Sequence, residues 1–161
     1  MSESILIKNI GLLQTAEGKA PLRGAAQGQN RKLRNAAVLI ETGVIRAVTE
    51  NGALPDYPQD AKMIDAGGNL VTPGLVDAHT HLVFGGWRQH EIPLKLKGAG
   101  YLDILAAGGG ILSTVDATRA ASEDALYEKS FAFLDELLAQ GVTTAEIKSG
   151  YGLDTANELK Q

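Results

Sequence analysis

The chain has 161 residues, 44% hydrophobic and 21% charged, enough for a soluble core of ordinary size. Its net charge of −4 excludes the basic footprint of a nucleic-acid binder. No apolar run approaches the roughly 18 residues of a membrane-crossing helix. With no cysteine, disulfides and thiolate metal ligands are excluded, so any metal must be held by His, Asp or Glu. The absence of cysteine and of a basic signal at the start fits a cytoplasmic protein.

In chain order, residues 4–13 read as a short strand. The polar, glycine-containing segment 15–35 reads as a long exposed loop. Residues 36–40 and 44–48 are rich in β-formers, and Glu41-Thr42-Gly43 between them suits a tight hairpin. Asp65 to Asn69 is a turn cluster. The first seventy residues are therefore expected to form a small antiparallel sheet, residues 1–70, followed by a second domain at 71–161.

The second part alternates. Leu75 to Phe84 reads as a strand. Residues 100–107 read as a short helix stopped by Gly108-Gly109-Gly110. Ser122 is a good N-cap, with Glu123 and Asp124 well placed against the helix dipole. That helix runs to Gln140, with Gly141 at the C′ position. Residues 142–148 read as a strand, and Asp154 caps a further helix. Strand–helix alternation predicts an α/β fold with parallel strands. A complete (β/α)8 barrel has eight such units in about 250 residues, and about two are countable here. The sequence is expected to be part of a longer chain.

The chemistry concentrates in Asp77-Ala78-His79-Thr80-His81. Side chains two apart on a strand share a face, so Asp77, His79 and His81 point the same way. Two imidazoles on one face can chelate one divalent ion, and Asp77 could orient an imidazole. A bare His-x-His is common by chance. Here it sits near the end of an apolar strand, between Thr72-Pro73-Gly74 and Gly85-Gly86, where barrel enzymes place functional residues. A catalytic zinc usually takes three protein ligands. His90, the remaining histidine, reads as a surface residue.

Pro73-Gly74-Leu75-Val76-Asp77-Ala78-His79-Thr80-His81 resembles the first-strand signature of the amidohydrolase superfamily. Finer motifs resemble the imidazolonepropionases: Leu82 to Gly86 with Arg88, Gly98 to Ile104, Ala107 to Ile111, Ser113 to Ser122, and Gly141 to Leu153. Together they cover most of residues 70–154. Trp87 and Ile92 depart from the expected pattern.

The resemblance implies an incomplete metal-dependent (β/α)8 TIM barrel preceded by a small N-terminal β-sandwich segment. It implies one zinc or iron ion, held in part by His79 and His81. It implies that a metal-activated water opens the ring of 4-imidazolone-5-propanoate to N-formimidoyl-L-glutamate in histidine degradation. Arg88 would bind the propanoate carboxylate, where a planar guanidinium suits bidentate contact. Tyr151, and more weakly Tyr101, would contact substrate. Without the resemblance, Arg88 reads as a solvated loop charge and both tyrosines as packing residues. In two-metal relatives a strand lysine can be carboxylated and bridge the ions; the family resembled here is mononuclear, so Lys148 reads as structural or as a support to a metal ligand.

The family needs a further His, an Asp and an acid/base pair from later strands, so the isolated chain is expected to be inactive. Its partners are a small molecule and, in the full-length protein, a second copy; no nucleic acid or membrane is expected. A different amidohydrolase, such as a cyclic-imide hydrolase or nucleobase deaminase, shares the His-x-His strand. A non-catalytic truncated module is the remaining alternative.

Overall fold

The computed structural model describes residues 4–18 and 20–161. It divides into two compact units, Met1–Pro73 and Gly74–Gln161.

The first unit is one five-stranded sheet. β1 (Ser4–Thr15) pairs antiparallel with β2 (Arg31–Glu41), which pairs antiparallel with β3 (Val44–Thr49). Thr42 (φ 51°) and Gly43 (φ 76°) are both left-handed, as a two-residue hairpin matched to strand twist requires. β4 (Lys62–Asp65) and β5 (Leu70–Val71) lie along β1 in parallel. The sheet is thus mixed, where an antiparallel one was expected. The chain leaves β3 and returns on the far side of β1, so its later strands run with β1.

The exposed loop is also shorter than expected. Arg31 and Lys32 belong to β2, opposite Thr15 and Gln14. Pairing with the long β1 satisfies their backbone groups, while both side chains stay exposed.

A register shift falls between Ile7 and Ile10, where Asn9 is left-handed at φ 55°. Asparagine tolerates this conformation better than most residues. The extra residue turns the strand over. Leu6 packs with Ala37 and Leu39, whereas Ile10 packs with Leu13, Leu33, Ala36 and Val38. Asn9 also donates to Asp65 Oδ1 at 2.9 Å, and Asp65 accepts the Gly67 N–H at 2.8 Å.

The second unit has a two-stranded parallel sheet, β6 (Leu75–Thr80) with β7 (Val142–Ile147). Four helices lie between them in sequence: α1 (Glu91–Leu96), α2 (Tyr101–Ala106), α3 (Ile111–Ala120) and α4 (Glu123–Ala139). α5 (Thr155–Lys160) follows β7. β6 ends four residues before the expected Phe84. Its pairing with β7 stops at Thr80 opposite Ile147, where Lys148 N–H donates to Thr80 O at 2.8 Å.

The segment after β6 then docks on α3. Gly85 N–H donates to Thr118 Oγ1 at 2.9 Å, and that buried hydroxyl donates to Thr114 O at 2.7 Å. A Cβ at Gly85 would lie 2.3 Å from Ala117 O, so only glycine permits this approach. α1 and α3 carry too few periodic apolar residues to read clearly from sequence; Val115, with Thr114 and Thr118, supplies α3's buried face.

Candidate active site

β6 carries His79, and His81 follows it immediately. Their rings lie 5.3 Å apart, edge to face at 69°, so the alternation expected of a strand does bring them together. Neither imidazole hydrogen-bonds to another described residue, and His81 Nδ1 is buried without a partner. Asp77 acts differently from expectation: its Oδ1 accepts the main-chain N–H of His79 at 3.1 Å rather than orienting an imidazole.

The far wall comes from the segment after β7. A Cβ on Gly150 would sit 2.8 Å from His81 Cε1, so the missing side chain lets this backbone lie against the imidazole. Tyr151 follows, its ring 5.2 Å from that of His81 and 6.3 Å from that of Phe84. An open cleft of about 260 Å³ begins at Thr80 and His81 and is walled by Phe84, Trp87 and Phe133.

Several charged residues hold the Tyr151 turn. Arg119 Nε donates to Gly152 O at 2.7 Å, and its guanidinium lies 3.3 Å from Asp154. Glu158 Oε1 accepts the N–H groups of Gly152 and Leu153 at 2.9 and 2.8 Å. Those contacts, the Leu153 N–H foremost, hold the Glu158 carboxyl below its ordinary range. Lys160 Nζ donates to the carbonyls of Thr118, Arg119 and Ala121 at the end of α3. A cation there complements the helix dipole. Sequence reasoning missed this clamp, because Arg119 and Gly152 are 33 positions apart and no local pattern joins them.

Glu146 on β7 and Lys148, one residue past its end, pair with each other. The Lys148 contact chiefly, and the nearby His79 to a lesser extent, hold the Glu146 carboxyl below its ordinary range. Lys148 therefore has a carboxylate partner two positions back, on β7.

The remaining candidates lie elsewhere. Arg88 is half-buried; its carbonyl accepts the Glu91 N–H at 3.0 Å, and its charge helps lower the Glu91 carboxyl. His90 is the exposed N-cap of α1, and Tyr101 opens α2 with 64% of its surface exposed. Among the described residues, neither Arg88 nor Tyr101 hydrogen-bonds or stacks with His79, His81 or Tyr151. No group of three or more His, Asp or Glu suited to a metal occurs among the described residues.

Over 156 residues the chain is 52% identical to the imidazolonepropionase of Bacillus velezensis, covering 97% of this chain. The chain is a homologue of the imidazolonepropionases. The enzyme of that name from Herpetosiphon aurantiacus is 51% identical over 154 residues, covering 96% of this chain. The chain spans 37% and 36% of the lengths of these two imidazolonepropionases. No protein-family model matches it. Among solved structures, an amidohydrolase aligns with a TM-score of 0.54 at 19% identity, covering 91% of this chain and 26% of its own. E. coli guanine deaminase aligns with a TM-score of 0.50 at 19% identity, covering 89% and 29%. These likenesses show a shared amidohydrolase-type fold, while the imidazolonepropionase relationship rests on sequence.

Proposed function

We propose that this chain supplies part of the metal site and part of the substrate pocket of an imidazolonepropionase, a hydrolase of histidine degradation. The observation that carries the reading is the paired, otherwise unbonded imidazoles of His79 and His81, with Tyr151 against His81. They lie in a chain about half identical to imidazolonepropionases.

The two histidines fit one zinc or iron ion. They offer nitrogen donors on one face of a strand end, and the buried Nδ1 of His81 has no protein partner. A divalent ion held there would lower the pKa of a bound water, making it a nucleophile near neutral pH. Gly150 and Tyr151 fix the His81 ring and close one side of the pocket. The Tyr151 hydroxyl can hydrogen-bond the ring of 4-imidazolone-5-propanoate, and the Arg88 guanidinium is suited to its carboxylate. Tyr101 is a further substrate contact in this reading. Water adds to the ring carbonyl, the ring C–N bond breaks, and N-formimidoyl-L-glutamate results.

The third and fourth ligands and the acid/base pair belong to parts of the enzyme outside these residues. Residues 71–161 would then be the opening units of a metal-bearing (β/α)8 barrel, and residues 1–70 part of a β-sandwich. The full-length protein would be a cytoplasmic homodimer acting on a small molecule.

Zinc titration by calorimetry tests the reading. The purified chain should take up zinc, His79→Ala or His81→Ala should lose at least about tenfold in affinity, and no form should turn over 4-imidazolone-5-propanoate alone. Equal zinc uptake by the doubly substituted chain would remove the metal site from this proposal.

A further inference from the structure

Lys129 has no carboxylate partner among the described residues, yet its ammonium is well engaged. Nζ lies 3.6 Å from the Phe84 ring centroid, 4.4 Å from that of Trp87 and 5.8 Å from that of Phe133. It also donates to Phe84 O at 3.0 Å and Gly86 O at 2.8 Å. Trp87 meets Phe84 and Phe133 edge to face, at 87° and 84°, with 5.5 Å between centroids in each case. α4 thus sends one cation into a segment lacking regular structure and gathers its carbonyls and aromatic faces around it. A cation over an aromatic face is attracted by the ring quadrupole, more strongly as water is excluded. Partial burial pushes the Lys129 ammonium below the usual lysine range. Arg88 directly follows Trp87 in the chain.

We infer that Lys129 is a positioning residue: its ammonium fixes residues 84–87 on α4 and thereby sets where the chain presents Arg88. The role of Arg88 toward a carboxylate rests on the function proposed above; the fixing of the segment does not. Trp87 adds a face to the cage at a position where the sequence departs from the expected family pattern.

The test reads the segment directly. Trp87 is the single tryptophan, so its emission reports on the cage. Trypsin cleavage after Arg88 under native conditions reports release of the backbone. Lys129→Met should shift Trp87 emission and speed cleavage after Arg88 by about tenfold, with cleavage after Lys95 and Arg119 unchanged. Lys129→Arg, which keeps a stacking cation, should restore most of the protection. If Lys129→Met fails to fold, Lys129→Gln supplies the same comparison.

Unchanged cleavage after Arg88, or an equal rise at all three sites, would overturn the assignment. Binding of 3-(imidazol-4-yl)propanoate, followed through Trp87, separates the two ideas. If Arg88→Met binds as the parent does, the carboxylate role of Arg88 falls, and the Lys129 result is untouched.

Discussion

Glu91 carries a carboxylate to a place where only 2% of its surface meets solvent. It survives there because Gly110 N–H, at the N-terminus of α3, donates to Oε1 at 2.6 Å and Lys95 Nζ lies 3.3 Å from Oε2. Both contacts favour the charged form, and the helix end adds a positive partial charge. The Gly110 contact foremost holds its carboxyl below the usual value of 4.5. A carboxyl depressed on folding stabilises the native state above its unfolded pKa. That contribution fades as pH falls from there through the folded pKa. Glu91→Gln should therefore melt several degrees below the parent at neutral pH, with the gap closing below about pH 4.5. A gap that stays constant down to acid unfolding would show that the charge contributes nothing.

Among the elements, α4 shows how caps define a helix that the rest of the unit depends on. Ser122 is extended (ψ 161°), and its hydroxyl accepts the Ala125 N–H at 3.2 Å. Glu123 and Asp124 occupy the first turn, and left-handed Gly141 (φ 89°) ends the helix just before β7. The same helix carries Lys129 and Phe133, so its start governs where the aromatic cage falls. Ser122→Ala should cost about 1 kcal/mol in urea unfolding, with Ser122→Gly milder. Equal stability of the alanine variant would mean that packing alone sets the helix start.

In the whole molecule, the β6–β7 sheet is the exposed feature. Parallel sheets are normally covered on both faces, yet Val76 is 67% exposed and Leu75 54% exposed. Unpaired strand edges with apolar side chains invite pairing with another chain. Sedimentation velocity should show mass above 16.9 kDa growing with concentration, and Val76→Lys should suppress it. A monomer at all concentrations would show that this edge is protected by other means.

The sequence by itself determined the local features. Alternation placed His79 beside His81, Ser122 and Asp154 marked helix starts through short side chains that accept a nearby N–H, and Thr42-Gly43 marked the hairpin. Each depends on residues a few positions apart, so propensity and period suffice. The resemblance also drew attention to Tyr151, which the structure places against His81. Tertiary structure alone decided the rest. Strands β4 and β5 run parallel to β1 because of where the chain returns, which no local pattern encodes. The Arg119–Glu158–Lys160 clamp and the Lys129 cage join residues about 5 to 45 positions apart. Charged groups of this kind read as solvated surface until folding removes the water around them and supplies carbonyls, N–H groups and rings in its place.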